Sequence, residues 1–126
     1  MSAATDALEN DLVDLIFNNT ASTLDIGDVS GLQPAGTAGS LYVALHSADP
    51  AGGSPDQSAD QTVNEAAYTG YSRQAVARTA GGWTVSGSSA TNAAEIAFGQ
   101  STTSETFTHS SIGTASSGAR GVLFTG

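Results

Sequence analysis

The 126-residue chain has no cysteine and no lysine, and it is poor in large apolar side chains. Without cysteine, neither a disulfide nor a thiolate zinc site can form, and the redox compartment leaves no trace in the sequence. Three Arg stand against twelve acids, for a net charge of −9. Nucleic-acid binding needs Lys and Arg to displace counterions from phosphates, so it is excluded as an expectation. An anionic membrane surface is disfavoured for the same reason. Four Phe, three Tyr and one Trp make up the aromatics. A core built instead from Ala and Val buries less area per residue, which predicts a thin stability margin and support from neighbouring subunits. The apolar runs are too short to span a bilayer, and no basic start with an apolar stretch suggests a secretory signal.

The charge is unevenly spread. Residues 1–66 carry −10 and residues 67–126 carry +1, an asymmetry that suits either a solvated acidic face or head-to-tail packing of copies. Within the acidic half, TDALENDLVDLIFN (5–18) predicts a helix. Leu8, Leu12, Leu15 and Ile16 recur at helical spacing, Asp6 is placed to cap the first turn, and Asn18 and Asn19 to end it. So short a helix is marginal alone, so its stripe must dock within the domain or on another subunit. Leu12, Leu15 and Ile16 are the candidate partner-contact residues. Residues 19–40 are glycine-rich and read as a loose linker. LYVALH (41–46) is apolar on both faces and predicts a central strand. A loop of about twenty residues follows, a length that is uncommon in compact domains and tends to be mobile or functional.

Beyond that loop, strands are predicted at 71–79, 82–86, 90–98, 105–112 and 120–125, with AEIAF (94–98) alternating as a strand should. No helical pattern separates them. The expected fold class is therefore mainly β, an antiparallel β-sandwich with one short N-terminal helix. Residues 1–40 are expected to form a helix and linker serving as an attachment arm, and residues 41–126 the sandwich. YTGYSRQAVARTAGGWTVSG (68–87) gathers two Tyr, two Arg and the Trp; Ala80-Gly81-Gly82 suggests the turn of a central hairpin, with Trp83 plugging a small-residue core.

Chemistry is sparse. His46 and His109 are the two candidates for a neutral-pH base, and there is no G-x-S-x-G elbow, no phosphate-binding loop and no H-E-x-x-H helix. Both histidines read as structural, and no enzyme activity, catalytic residue or cofactor is expected. Asp25, Asp28, Asp49, Asp56 and Asp60 match no calcium-loop spacing and read as solvated acids, so no metal site is expected. Asn18-Asn19-Thr20 is formally a glycosylation sequon, but the helix-end reading prevails.

In order, LYVALHSADP, an acidic gap, NEAAYTGYSRQAVART, GGWTVSG, NAAEIAF, a Thr-His and Ser-Ile-Gly stretch and VLFTG resemble a family of small tailed-bacteriophage structural proteins described as tail fibre proteins. The resemblance spans about residues 5–126. It implies a non-enzymatic virion subunit on a β-sandwich, assembled in the host bacterial cytoplasm. Its partners would be other copies of itself and other virion proteins of capsid or tail, with no nucleic acid and no membrane. One short helix makes no long shaft, so a compact tail-fibre-like or capsid-decorating subunit is expected. Relatives continue past the position of Gly126 with one or two more strands, so the resemblance implies that those strands are absent here or that a neighbouring subunit supplies an equivalent. The competing reading is a receptor- or carbohydrate-binding module, which would expose Trp83, Tyr68 or Tyr71 to a host surface glycan.

Overall fold

The computed structural model describes residues 4–25, 27, 31–50, 60–119 and 121–126. Their elements run in the order α1 (Asp6–Asn18), β1 (Ser40–His46), β2 (Gln74–Ala77), β3 (Trp83–Ser86), β4 (Ser89–Asn92), β5 (His109–Gly113) and β6 (Val122–Thr125). One sheet has the order β2-β1-β5-β6 and the other is the pair β3-β4. The fold is mainly β with a short N-terminal helix. The chain groups into two compact units, one of Met1–Ser40 with Ala77–Glu95, the other of Leu41–Val76 with Ile96–Gly126.

In the first unit, the cap of α1 is Thr5 and not Asp6. Thr5 is extended, and its hydroxyl accepts from the Leu8 N–H, which leaves Asp6 and Glu9 to meet the positive end of the helix dipole. Asn19 ends the helix in the left-handed region at φ 54°. The most buried positions of α1 are Asp11 and Phe17, so the leucine stripe is not its most buried face. The reason lies in Ser22–Leu24, just after the helix, which bond back to it. Asp11 accepts from the Ser22 hydroxyl at 2.7 Å, the Thr23 N–H at 2.8 Å and the Leu24 N–H at 3.1 Å. Those bonds, that from Ser22 foremost, hold its carboxyl below the usual carboxylate range. Further along, the Asn19 amide brackets the backbone of Ala35 with bonds of 2.8 and 2.9 Å.

Phe17 meets Trp83 edge to face at a centroid distance of 4.8 Å. The β3–β4 hairpin is antiparallel, with Trp83 opposite Asn92 and Ser86 opposite Ser89. Its two-residue loop puts Gly87 at φ 60°, the left-handed conformation that a type II′ turn demands of its first central residue. The predicted hairpin across Ala80–Gly82 is corrected: β2 pairs in the other sheet, and β3 pairs forward with β4. Arg78 follows β2 and caps α1 from 62 positions away in sequence, donating from Nε to the Ile16 carbonyl at 2.6 Å and from Nη2 to the Leu15 carbonyl at 2.5 Å. The last turn of α1 has no basic residue of its own, so Arg78 supplies the cation that its dipole favours there.

In the second unit, β1 is an interior strand as its two-sided apolarity predicts, and Leu41, Val43 and Ala44 are buried. It pairs antiparallel with β5, from Tyr42 opposite Gly113 to His46 opposite His109. AEIAF is not a strand; residues 95–100 make no ladder. Side chains place it instead. Phe98 stacks on Tyr71 at 6.1 Å, and Tyr68 packs on Tyr71 and Phe107 and donates its hydroxyl to the Gly99 carbonyl at 2.6 Å.

Candidate functional site

The predicted contact residues lie on α1. Leu12 is 36 % exposed, whereas Leu15 and Ile16 are half-buried and their carbonyls take the Arg78 bonds. Among the described residues, the other exposed large apolar residues are Leu123 and Phe124, on β6, the end strand of its sheet.

The second unit also contains a chain of buried polar side chains. His46 and Gln61 have no exposed surface, Ser111 is 1 % exposed and Arg73 7 %. His46 Nδ1 lies 2.9 Å from the Val63 carbonyl. That oxygen can only accept, so Nδ1 carries the proton and Nε2 presents a lone pair. Ser111 Oγ lies 2.7 Å from Nε2 and donates to it. Ser111 Oγ in turn accepts from Gln61 Nε2 at 3.1 Å, which also donates to the Tyr42 carbonyl. Gly113 leaves the slot for this amide: a Cβ there would lie 2.1 Å from Gln61 Oε1.

Gln61 Oε1 accepts from Arg73 Nη1 at 3.2 Å. The remaining donors of Arg73 go to both oxygens of Glu65, each at 2.7 Å, and to the carbonyls of Ala115 and Gly118, each at 3.0 Å. All five guanidinium N–H groups are therefore engaged, and the bidentate bond to Glu65 raises the Arg73 pKa further. Glu65 also accepts from the Tyr71 hydroxyl, which itself accepts from the Leu45 N–H. Burial, ahead of the Glu65 charge, pushes Tyr71 from 10.0 to about 12. Folded Tyr71 thus binds its proton more tightly than in the unfolded chain. Its contribution to stability is complete below pH 10.0 and lost as pH rises through about 12. Denaturant titrations across that window should show an alkaline loss in the wild type that is smaller in Tyr71→Phe; equal losses would place the sensitivity elsewhere.

The Ser111–His46 pair has the spacing of a nucleophile and its base, but it is sealed, and a backbone carbonyl stands where a carboxylate usually orients the histidine. Outside, a cavity of about 300 Å³ opens over Glu65, Tyr71, Arg73 and Ser116–Gly118. Because every Arg73 donor is already engaged, this cavity is no anion cradle. Trp83 is 3 % exposed, which makes it the predicted plug and removes it as a platform for stacking sugars. Among the described residues, no three His, Cys, Asp or Glu side chains gather to hold a metal ion; Asp28 and Asp56 lie outside those residues. Asp60 closes a local turn, accepting from the Thr62 N–H and hydroxyl at 2.8 and 2.7 Å.

The sequence marks His46 as structural and does not single out Gln61, Glu65 or Ser111. The available signal was a Gln and a Glu four residues apart, ahead of the Tyr-x-Gly-Tyr-x-Arg run. A scarce Arg needs a carboxylate when buried, but nothing local says which acid supplies it.

No curated protein matches the chain and no solved structure does. The family model described as podophage GP4 fiber I protein gp80 matches residues 3–125. With a match over nearly its whole length, and on a mainly β fold, the chain belongs to this phage fibre family.

Proposed function

We infer that the protein is a non-enzymatic subunit of the podophage fibre apparatus that works by packing against other virion proteins and against copies of itself. Helix α1 and the segment to residue 40 act as the attachment arm, and the rest of the chain as the body. The observation that carries this reading is Leu12, an exposed leucine on a helix already anchored through Phe17 and Arg78. Phe17 and Arg78 anchor α1, and the exposed part of Leu12 is available to a partner. Leu123 on β6 offers a second apolar contact, in a stretch (106–126) without any acid to repel an acidic neighbour. A capsid-decorating position would use the same contacts at a different place on the particle.

Leu12→Asp should leave the circular dichroism of helix and sheet unchanged and sharply lower incorporation of the subunit into particles. Ile16→Asp, half-buried, should cost stability as well as assembly. If Leu12→Asp unfolds the protein to the degree that it loses assembly, the helix face is core and the reading fails.

A further inference from the structure

We propose that Ser111 and Gln61 form an intramolecular ester crosslink, made by the protein itself from the buried groups around them. A nucleophile, base, electrophile and oxyanion donor are assembled in one dry place. Ser111 Oγ is the nucleophile, with His46 Nε2 as its base at 2.7 Å. The Val63 carbonyl fixes the tautomer that leaves Nε2 free to accept. The electrophile is the Gln61 carboxamide, whose nitrogen lies 3.1 Å from Oγ. Arg73 Nη1, 3.2 Å from Oε1, stands where negative charge would develop.

In the reaction, the Ser111 hydroxyl proton passes to His46 Nε2 as Oγ bonds to Gln61 Cδ. The oxyanion on Oε1 rests against Arg73. The Cδ–Nε2 bond then breaks, His46 returns the proton to the departing nitrogen, and ammonia leaves. The product is an ester between residues 61 and 111, with no oxidation, no reduction and no added reagent. Attack requires the amide to turn its face to Oγ about its terminal torsion, which is broad in glutamine, and Gly113 presents no Cβ against the amide. Full burial of His46 and Gln61 excludes the water that would otherwise hydrolyse the amide or the finished ester.

The crosslink would join positions 50 residues apart. A chain without cysteine has no disulfide to do the same. Nothing in this inference depends on the place of the subunit in the virion.

The test is the intact mass of the purified full-length chain, measured denatured, fresh and after prolonged incubation. The expected mass is that of the sequence less one ammonia, with a digest that joins the Gln61 and Ser111 peptides and a link cleaved by alkaline hydroxylamine. Ser111→Ala should show the full mass of its sequence. A wild-type chain that keeps its full mass overturns the proposal, as does Gln61 hydrolysed to glutamate with Ser111 unmodified. Because the wild-type mass decides, poor folding of Ser111→Ala would not rescue the idea.

Discussion

Glu65→Ala is expected to destabilise the protein by about 3–5 kcal/mol, the usual cost of removing one partner of a buried ion pair. The Arg73 side chain is 2 % exposed and that of Glu65 16 %. Removing the carboxylate strands a guanidinium that cannot shed its proton. It also frees the Tyr71 hydroxyl, which loses its acceptor. Since small domains hold only about 5–15 kcal/mol in all, much of the population should be unfolded at moderate temperature. Urea denaturation followed by far-ultraviolet circular dichroism measures the loss. A cost under about 1 kcal/mol, typical of exposed pairs, would show that water screens the site. Glu65→Gln should fall between, because it keeps acceptor capacity but removes the charge.

Trp83→Ala should cost a similar amount, about 3–5 kcal/mol, as large-to-small changes at buried aromatic positions do. Trp83 is 3 % exposed and packs edge-on against Phe17, so both the β3–β4 hairpin and α1 lose their apolar anchor together. Trp83→Phe separates packing from polarity. The buried indole N–H has no acceptor among the described residues, so phenylalanine sacrifices volume but no hydrogen bond. The phenylalanine variant should therefore retain most of the stability, and its helical signal should melt with the rest of the unit. If Trp83→Ala instead leaves the helix signal untouched, α1 is held by the Arg78 bonds to Leu15 and Ile16 and not by the aromatic contact.

Much of the architecture is legible in the sequence. Periodicity located α1 and β1, because a 3.6-residue stripe and a two-sided apolar run are local patterns. The same reasoning misplaced AEIAF. Alternation at 94–98 says that a segment could be a strand, but a strand needs a partner edge, and here Tyr71 and Tyr68 engage Phe98 and Gly99 instead. It also misjudged the turn at Ala80–Gly82, where glycines mark a reversal without saying which strands pair across it.

The arginines show the limit most clearly. Arg73 and Arg78 stand only five positions apart in the sequence. In the structure, Arg73 is buried at Glu65, and Arg78 caps α1 from 62 positions away. By itself the sequence determined the charge, the absence of thiol chemistry, the mainly β class, the helix and, through the order of its motifs, the family. Only the tertiary structure decided which residues meet. The partners of Ser111 lie 65 and 50 positions away in His46 and Gln61, and the need of these buried polar groups for partners is met by chain closure, which no local pattern encodes.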